Sequence, residues 1–175
     1  MCMLAFSDVH IDDLKNLTIK SFLGIVVNDY YPLIYSQINE FESCIKELKN
    51  NYDVDLLETT QQKVYNEFDT MYRKEKLVLF PFILKLDEEN KKSENCAPFK
   101  NIKQHFTSIV ASLTEGIQEI DNIFINSNNA ELVESARDIL LNLKTTFIDL
   151  QLIKDKNFYK NYKNCGSCGS IVSTQ

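Results

Sequence analysis

Met71-Tyr72-Arg73-Lys74-Glu75-Lys76-Leu77-Val78-Leu79-Phe80-Pro81 places one acid among apolar residues at helical spacing. Leu57, Val64, Phe68, Met71, Val78 and Phe82 recur in alternating steps of about three and four, as the buried seam of a helix does, and Gln61 and Glu75 lie on the same stripe. Glu75 is therefore expected to point inward. A lone carboxylate in a core costs several kcal/mol unless it meets a cation, a metal or several donors, so an inward Glu marks a site or the remains of one.

Three further seams flank this one. A first helix is expected from Thr18, whose hydroxyl can cap the free amides, to about Asn50, with Ile19, Leu23, Val26, Tyr30, Ile34, Ile38, Phe41, Ile45 and Leu48 inward. Pro32 should bend it. Asp55 and Glu58 form a capping box for the second helix, expected over 55–86 and kinked at Pro81. Pro98 suits the first turn of a third helix, 98–125, carrying Phe99, Ile102, Phe106, Ile109, Leu113, Ile117, Ile120 and Phe124. Asn128 and Glu131 make another capping box before a fourth helix, 129–161, with Val133, Ala136, Leu140, Leu143, Phe147, Leu150 and Ile153 inward. Four amphipathic helices with short connections predict an all-α, up-down-up-down four-helix bundle over 18–162, between an N-terminal extension 1–17 and a flexible tail 163–175.

Composition narrows the class. In 175 residues there are four Gly and three Pro, too few for the tight turns of a β-sandwich, and the length suits one domain. A net charge of −6, with lysines interspersed among acids, argues against nucleic acid or an anionic membrane as partner. No charge-free apolar run approaches the roughly 20 residues of a membrane span. Met1-Cys2-Met3-Leu4-Ala5-Phe6 lacks a basic leader and runs into Asp8, Asp12 and Asp13, a poor signal peptide, so a cytoplasmic protein with reduced thiols is expected.

Lys74-Glu75-Lys76-Leu77-Val78-Leu79-Phe80-Pro81 resembles the "KEExxLFP" stretch of hemerythrin-like proteins, in particular the repair-of-iron-centres family linked to nitrosative stress. The similarity spans about residues 15–160. It includes Tyr30-Tyr31 where the family has paired histidines and a Pro-initiated third helix bearing His105 where the family carries a ligand. That resemblance implies a bundle in which His and Glu side chains hold two non-haem irons for the repair of iron-sulfur clusters. Measured against it, Met71 stands where a His would precede Glu75. Asp149-Leu150-Gln151-Leu152-Ile153-Lys154-Asp155-Lys156-Asn157 aligns with "DLxxHIxxE", which puts Ile153 and Asn157 at ligand positions. Glu75 and His105 alone keep ligand chemistry, and two protein ligands rarely hold iron.

A degenerate bundle is therefore expected: no metal cofactor, no catalysis, and a role as an interaction or regulatory protein with an unknown protein partner in an iron or nitrosative stress response. Tyr30 or Tyr31, His105 and Asn157 are the candidate donors to Glu75, with Lys154 as a fallback cation. His105 taken alone also reads as a surface histidine beside the core. The alternatives are a non-haem iron protein keeping Glu75 and His105 as ligands, and a metal or thiol carrier using Cys165-Gly166-Ser167-Cys168. That last motif has neither a second ligand pair nor the strand-to-helix setting of a redox centre, so it also reads as an inert tail. Phe158, Tyr159 and Tyr162 lie beyond the regular seam and either close one end of the bundle or form a partner surface.

Overall fold

The computed structural model describes residues 17–89, 97–125 and 130–159, and every regular element among them is helical. Four helices are present among these residues. Helix α1 runs through Ile19–Ile25, a π-helical turn Val26–Tyr30 and Tyr31–Leu48; α2 through Asp55–Lys74, a π turn Glu75–Leu79 and Phe80–Glu88. Helix α3 is Ala97–Ile125, and α4 runs through Ala130–Lys154 and a π turn Asp155–Tyr159. Residues 1–16, the tail with Cys165 and Cys168, Tyr162, and Asn128 of the expected cap lie outside the described residues.

Thr18 caps α1 as its position predicts, its hydroxyl accepting from the Ser21 amide at 3.2 Å. The capping box expected at Asp55 and Glu58 does not form. Val54 occupies the cap position without a side-chain bond, the Asp53 carboxylate accepts from the Asp55 amide at 3.2 Å, and Glu58 pairs instead with Lys49 at 2.6 Å. An Asx-type turn has satisfied the end of the helix one step early.

Both internal prolines follow π turns. A proline ring lacks an N–H and crowds the carbonyl four residues back, so an unbroken α-helix cannot pass through it without strain. Here the amide ahead of each proline reaches five residues back, Tyr31 to the carbonyl of Val26 and Phe80 to that of Glu75. The wider turn gives the ring room. It also adds a residue to the seam, so the inward positions on α2 run Met71, Glu75, Leu79, Phe80, Ile83 rather than Val78 and Phe82. Leu77 and Val78 are turned outward, 71% and 57% exposed, and Phe82 is half-buried.

The α1 seam holds from Leu23 to Leu48, with Phe22 and Tyr31 buried beside it and Ile19 at its start only half-buried, and all seven expected positions of α4 are buried. On α3 the seam runs from Phe99 to Ile120 and then to Ile123, so Phe124 is exposed, while Phe106 is half-buried. These residues form one continuous core in which α1 packs on α2, α2 on α3, α3 on α4 and α4 back on α1. Gly116 permits a close approach between three of them: a Cβ there would meet Thr60 Cγ2 at 3.0 Å and Leu140 Cδ1 at 3.1 Å.

Candidate functional site

The three π turns set the polar centre of the bundle. Glu75 opens the turn on α2, Tyr31 follows the one on α1, and Lys154 and Tyr159 bracket the one on α4. In an α-helix, at about 100° per residue, side chains five apart diverge by about 140°. A π turn closes in more residues, so Lys154 and Tyr159 both reach the same carboxylate.

Glu75 is 0% exposed and Lys154 1%. Lys154 Nζ donates to Glu75 Oε1 at 2.7 Å, Tyr159 OH donates to the same oxygen, and Tyr31 OH donates to Oε2. Both carboxylate oxygens are engaged, Oε1 by Lys154 and Tyr159 and Oε2 by Tyr31. The ammonium also lies 5.9 Å from the ring centroids of both Tyr31 and Tyr159, which places their π faces around the cation. Each charge is thus compensated on several sides, the condition under which an ion pair survives in a core. Burial holds the Tyr31 and Tyr159 phenols well above their ordinary value of 10.0, and the adjoining Glu75 charge pushes them further. They stay protonated and remain donors.

The aromatic shell fixes the donors. The Tyr31 ring meets Phe68 and Tyr72 edge to face at 5.8 and 5.0 Å and lies parallel to Phe80 at 6.5 Å, while the Tyr159 ring meets Phe99 of α3 at 5.3 Å. With two stiff torsions and packed faces, a tyrosine loses little further freedom in holding its hydroxyl in place.

Of the donors expected from sequence, the geometry takes Tyr31 rather than Tyr30. Tyr30 is buried, and burial together with the Asp149 and Asp29 carboxylates raises its pKa. Lys154, the fallback, is the principal partner of Glu75. His105 does not reach it: its Nδ1 pairs with Glu67 Oε2 and its Nε2 lies 2.7 Å from Lys74 Nζ, in a half-buried contact between α3 and α2. The tautomer with the proton on Nδ1 satisfies both neighbours. Met71 and Ile153 are apolar core residues, and Asn157 belongs to the last π turn with its side chain outside those described. The donor that sequence reasoning did not assign is Tyr159, because a period of 3.6 carries no information about a π turn. Lys154 lies four after Leu150 and seven after Phe147 on the α4 seam, which makes it a fallback and not more, because a lysine there ordinarily reaches water.

In comparisons with known proteins the chain matches no family model, no curated protein and no solved structure.

Proposed function

We infer that this chain is a hemerythrin-like, up-down-up-down bundle, similar to the repair-of-iron-centres family, in which a lysine has taken the place of the metal. The observation that carries this reading is the Lys154 ammonium 2.7 Å from Glu75 Oε1 in the interior. The sequential ring of helix contacts and the short connections are what that topology requires. The donors that converge do not fit a di-iron centre. There is one carboxylate with both oxygens engaged, two phenols held in the protonated form, and a fixed positive charge that repels a second cation. His105, the other residue with ligand chemistry, is committed to Glu67 and Lys74 on a different face. Among the described residues no group of three His, Cys, Asp or Glu side chains comes together.

The role that follows is non-enzymatic: a cytoplasmic interaction or regulatory protein of the iron or nitrosative stress response, whose bundle is held in one state without metal loading. Anaerobic calorimetric titration of chelator-free protein with Fe(II), followed by absorption spectroscopy, tests it. No saturable binding by the bundle is expected, and unchanged behaviour of the Cys165→Ser, Cys168→Ser variant excludes the thiol carrier. Stoichiometric uptake with a carboxylate-bridged iron absorption would overturn the reading.

A further inference from the structure

We propose that Tyr35, paired with Asp69 and flanked by Tyr65 and Tyr72, is a one-electron redox site that collects oxidising equivalents striking the α1–α2 face and holds them as a tyrosyl radical. The proposal is independent of the reading above. Its basis is a line of tyrosines: the Tyr35 ring meets Tyr65 edge to face at 6.0 Å and Tyr72 at 6.0 Å, and Tyr72 in turn meets Tyr31 at 5.0 Å. Tyr65 is exposed, Tyr72 and Tyr35 are half-buried and Tyr31 is buried, so the line runs from solvent inward. The chain has no tryptophan, which leaves tyrosine as its readily oxidised aromatic side chain. Phenylalanines such as Phe68, 4.8 Å from Tyr35, pack the line without accepting a hole.

Oxidation of a phenol near neutral pH needs somewhere for the proton to go. Tyr35 has it: its hydroxyl donates to Asp69 Oδ1 at 3.0 Å, while Asp69 Oδ2 pairs with Arg73 Nε at 2.8 Å, which leaves Oδ1 to the phenol. The neighbours on the line are less suited to keep the hole. Lys76 Nζ lies 5.2 Å from the Tyr72 ring centroid and donates to the Tyr72 hydroxyl at 2.8 Å, so a cation opposes loss of an electron there. At Tyr31 the proton would go to Glu75, which would cancel half of the buried ion pair beside Lys154. The hole therefore settles at Tyr35, between an exposed entry at Tyr65 and an interior that rejects it.

A one-electron oxidant of the ruthenium(III) tris-bipyridine or nitrogen dioxide class removes an electron from Tyr65, whose hydroxyl proton leaves to water. An electron then passes from the Tyr35 ring to the Tyr65 radical, which recovers a proton from water, while the Tyr35 hydroxyl proton moves to the Asp69 carboxylate. The product is a Tyr35 phenoxyl radical, half-buried and so less open than an exposed Tyr65 radical to coupling with a second molecule.

Photogenerated ruthenium(III) tris-bipyridine, with persulfate as electron acceptor, tests this on the full chain. The tyrosyl lifetime is read by transient absorption and paramagnetic resonance, and intermolecular dityrosine by fluorescence. Tyr35→Phe and Asp69→Asn should each shorten the radical lifetime severalfold and raise dityrosine severalfold, because the hole stays on Tyr65. Asp69→Glu should restore the wild-type lifetime, and a solvent isotope effect expected in wild type should be absent in Asp69→Asn. Adding Tyr65→Phe to Asp69→Asn should remove most of the extra dityrosine. Equal lifetimes and dityrosine yields in wild type, Tyr35→Phe and Asp69→Asn would overturn the proposal, and if Tyr35→Phe fails to fold the Asp69 variants decide it.

Discussion

Replacing Lys154 by Met removes one ammonium and keeps an apolar stem of similar length. In the native bundle that ammonium supplies the only cation bonded to Glu75 among the described residues, 2.7 Å from Oε1, with neither side chain more than 1% exposed. Its loss leaves a carboxylate facing two phenols in the core. Breaking a buried pair from one side costs about 3 to 5 kcal/mol, a large part of the roughly 5 to 15 kcal/mol that keeps a domain folded. Glu75→Gln strands the ammonium instead and should cost a similar amount, although the amide oxygen can still accept from a phenol. The double variant leaves no charge stranded. It should fall short of the sum of the single losses by about 2 to 3 kcal/mol, the upper range for residues in contact. Urea unfolding followed by far-ultraviolet circular dichroism and by fluorescence of the eight tyrosines gives all four stabilities. Additivity to within about 0.5 kcal/mol would refute the argument, because it would mean that the two charges do not see each other.

Alkali should unfold the protein steeply. Tyr31 and Tyr159 have folded pKa values raised above 10.0, so their contribution is intact below pH 10.0 and is lost as pH rises past that value toward the folded ones. The unfolded chain then binds fewer protons, and the two phenols together cost about 2.7 kcal/mol of stability per pH unit. Tyr31→Phe should lower the alkaline slope by about 1.4 kcal/mol per pH unit in urea titrations run between pH 10 and 12, and an unchanged slope would place the Tyr31 hydroxyl in solvent. At the helix crossing, Gly116→Val should lose about 1 to 3 kcal/mol, since even a Cβ there meets Thr60 at 3.0 Å and Leu140 at 3.1 Å. Thermal unfolding checks it, and a stability equal to wild type would mean that the helices stand further apart than described.

Much of the fold was written in the apolar spacing. The α4 seam from Val133 to Ile153 is buried as its period requires, and the α1 seam runs through Pro32 to Leu48 without a break in burial. What spacing did not carry is the local change of helical period. The α2 seam was expected to continue from Met71 to Val78, and the π turn ahead of Pro81 moved it to Leu79 and Phe80 instead. The same kind of turn brought Tyr159 onto Glu75, a position that a regular helix would have turned away. Both prolines were visible in the sequence, but the widened turn ahead of each was not. Glu75 itself was legible because an acid on an apolar stripe is anomalous. Its partners were less so, since a lysine at the next seam position ordinarily snorkels to water. Neutral donors would have made Glu75→Gln a mild change; a lysine partner makes it a severe one.

The centre of the molecule is a buried ion pair only if the Lys154 amine is inside. Brief treatment of the native protein with an acetylating N-hydroxysuccinimide ester, then digestion and mass spectrometry, compares it with the exposed Lys46 and Lys49. Lys154 should stay unmodified while those two react, and should react at their rate only in urea, where the buried pair with Glu75 is undone. Acetylation of Lys154 as fast as Lys46 in protein that keeps its helical circular dichroism would contradict the claim that a lysine holds the centre of this bundle.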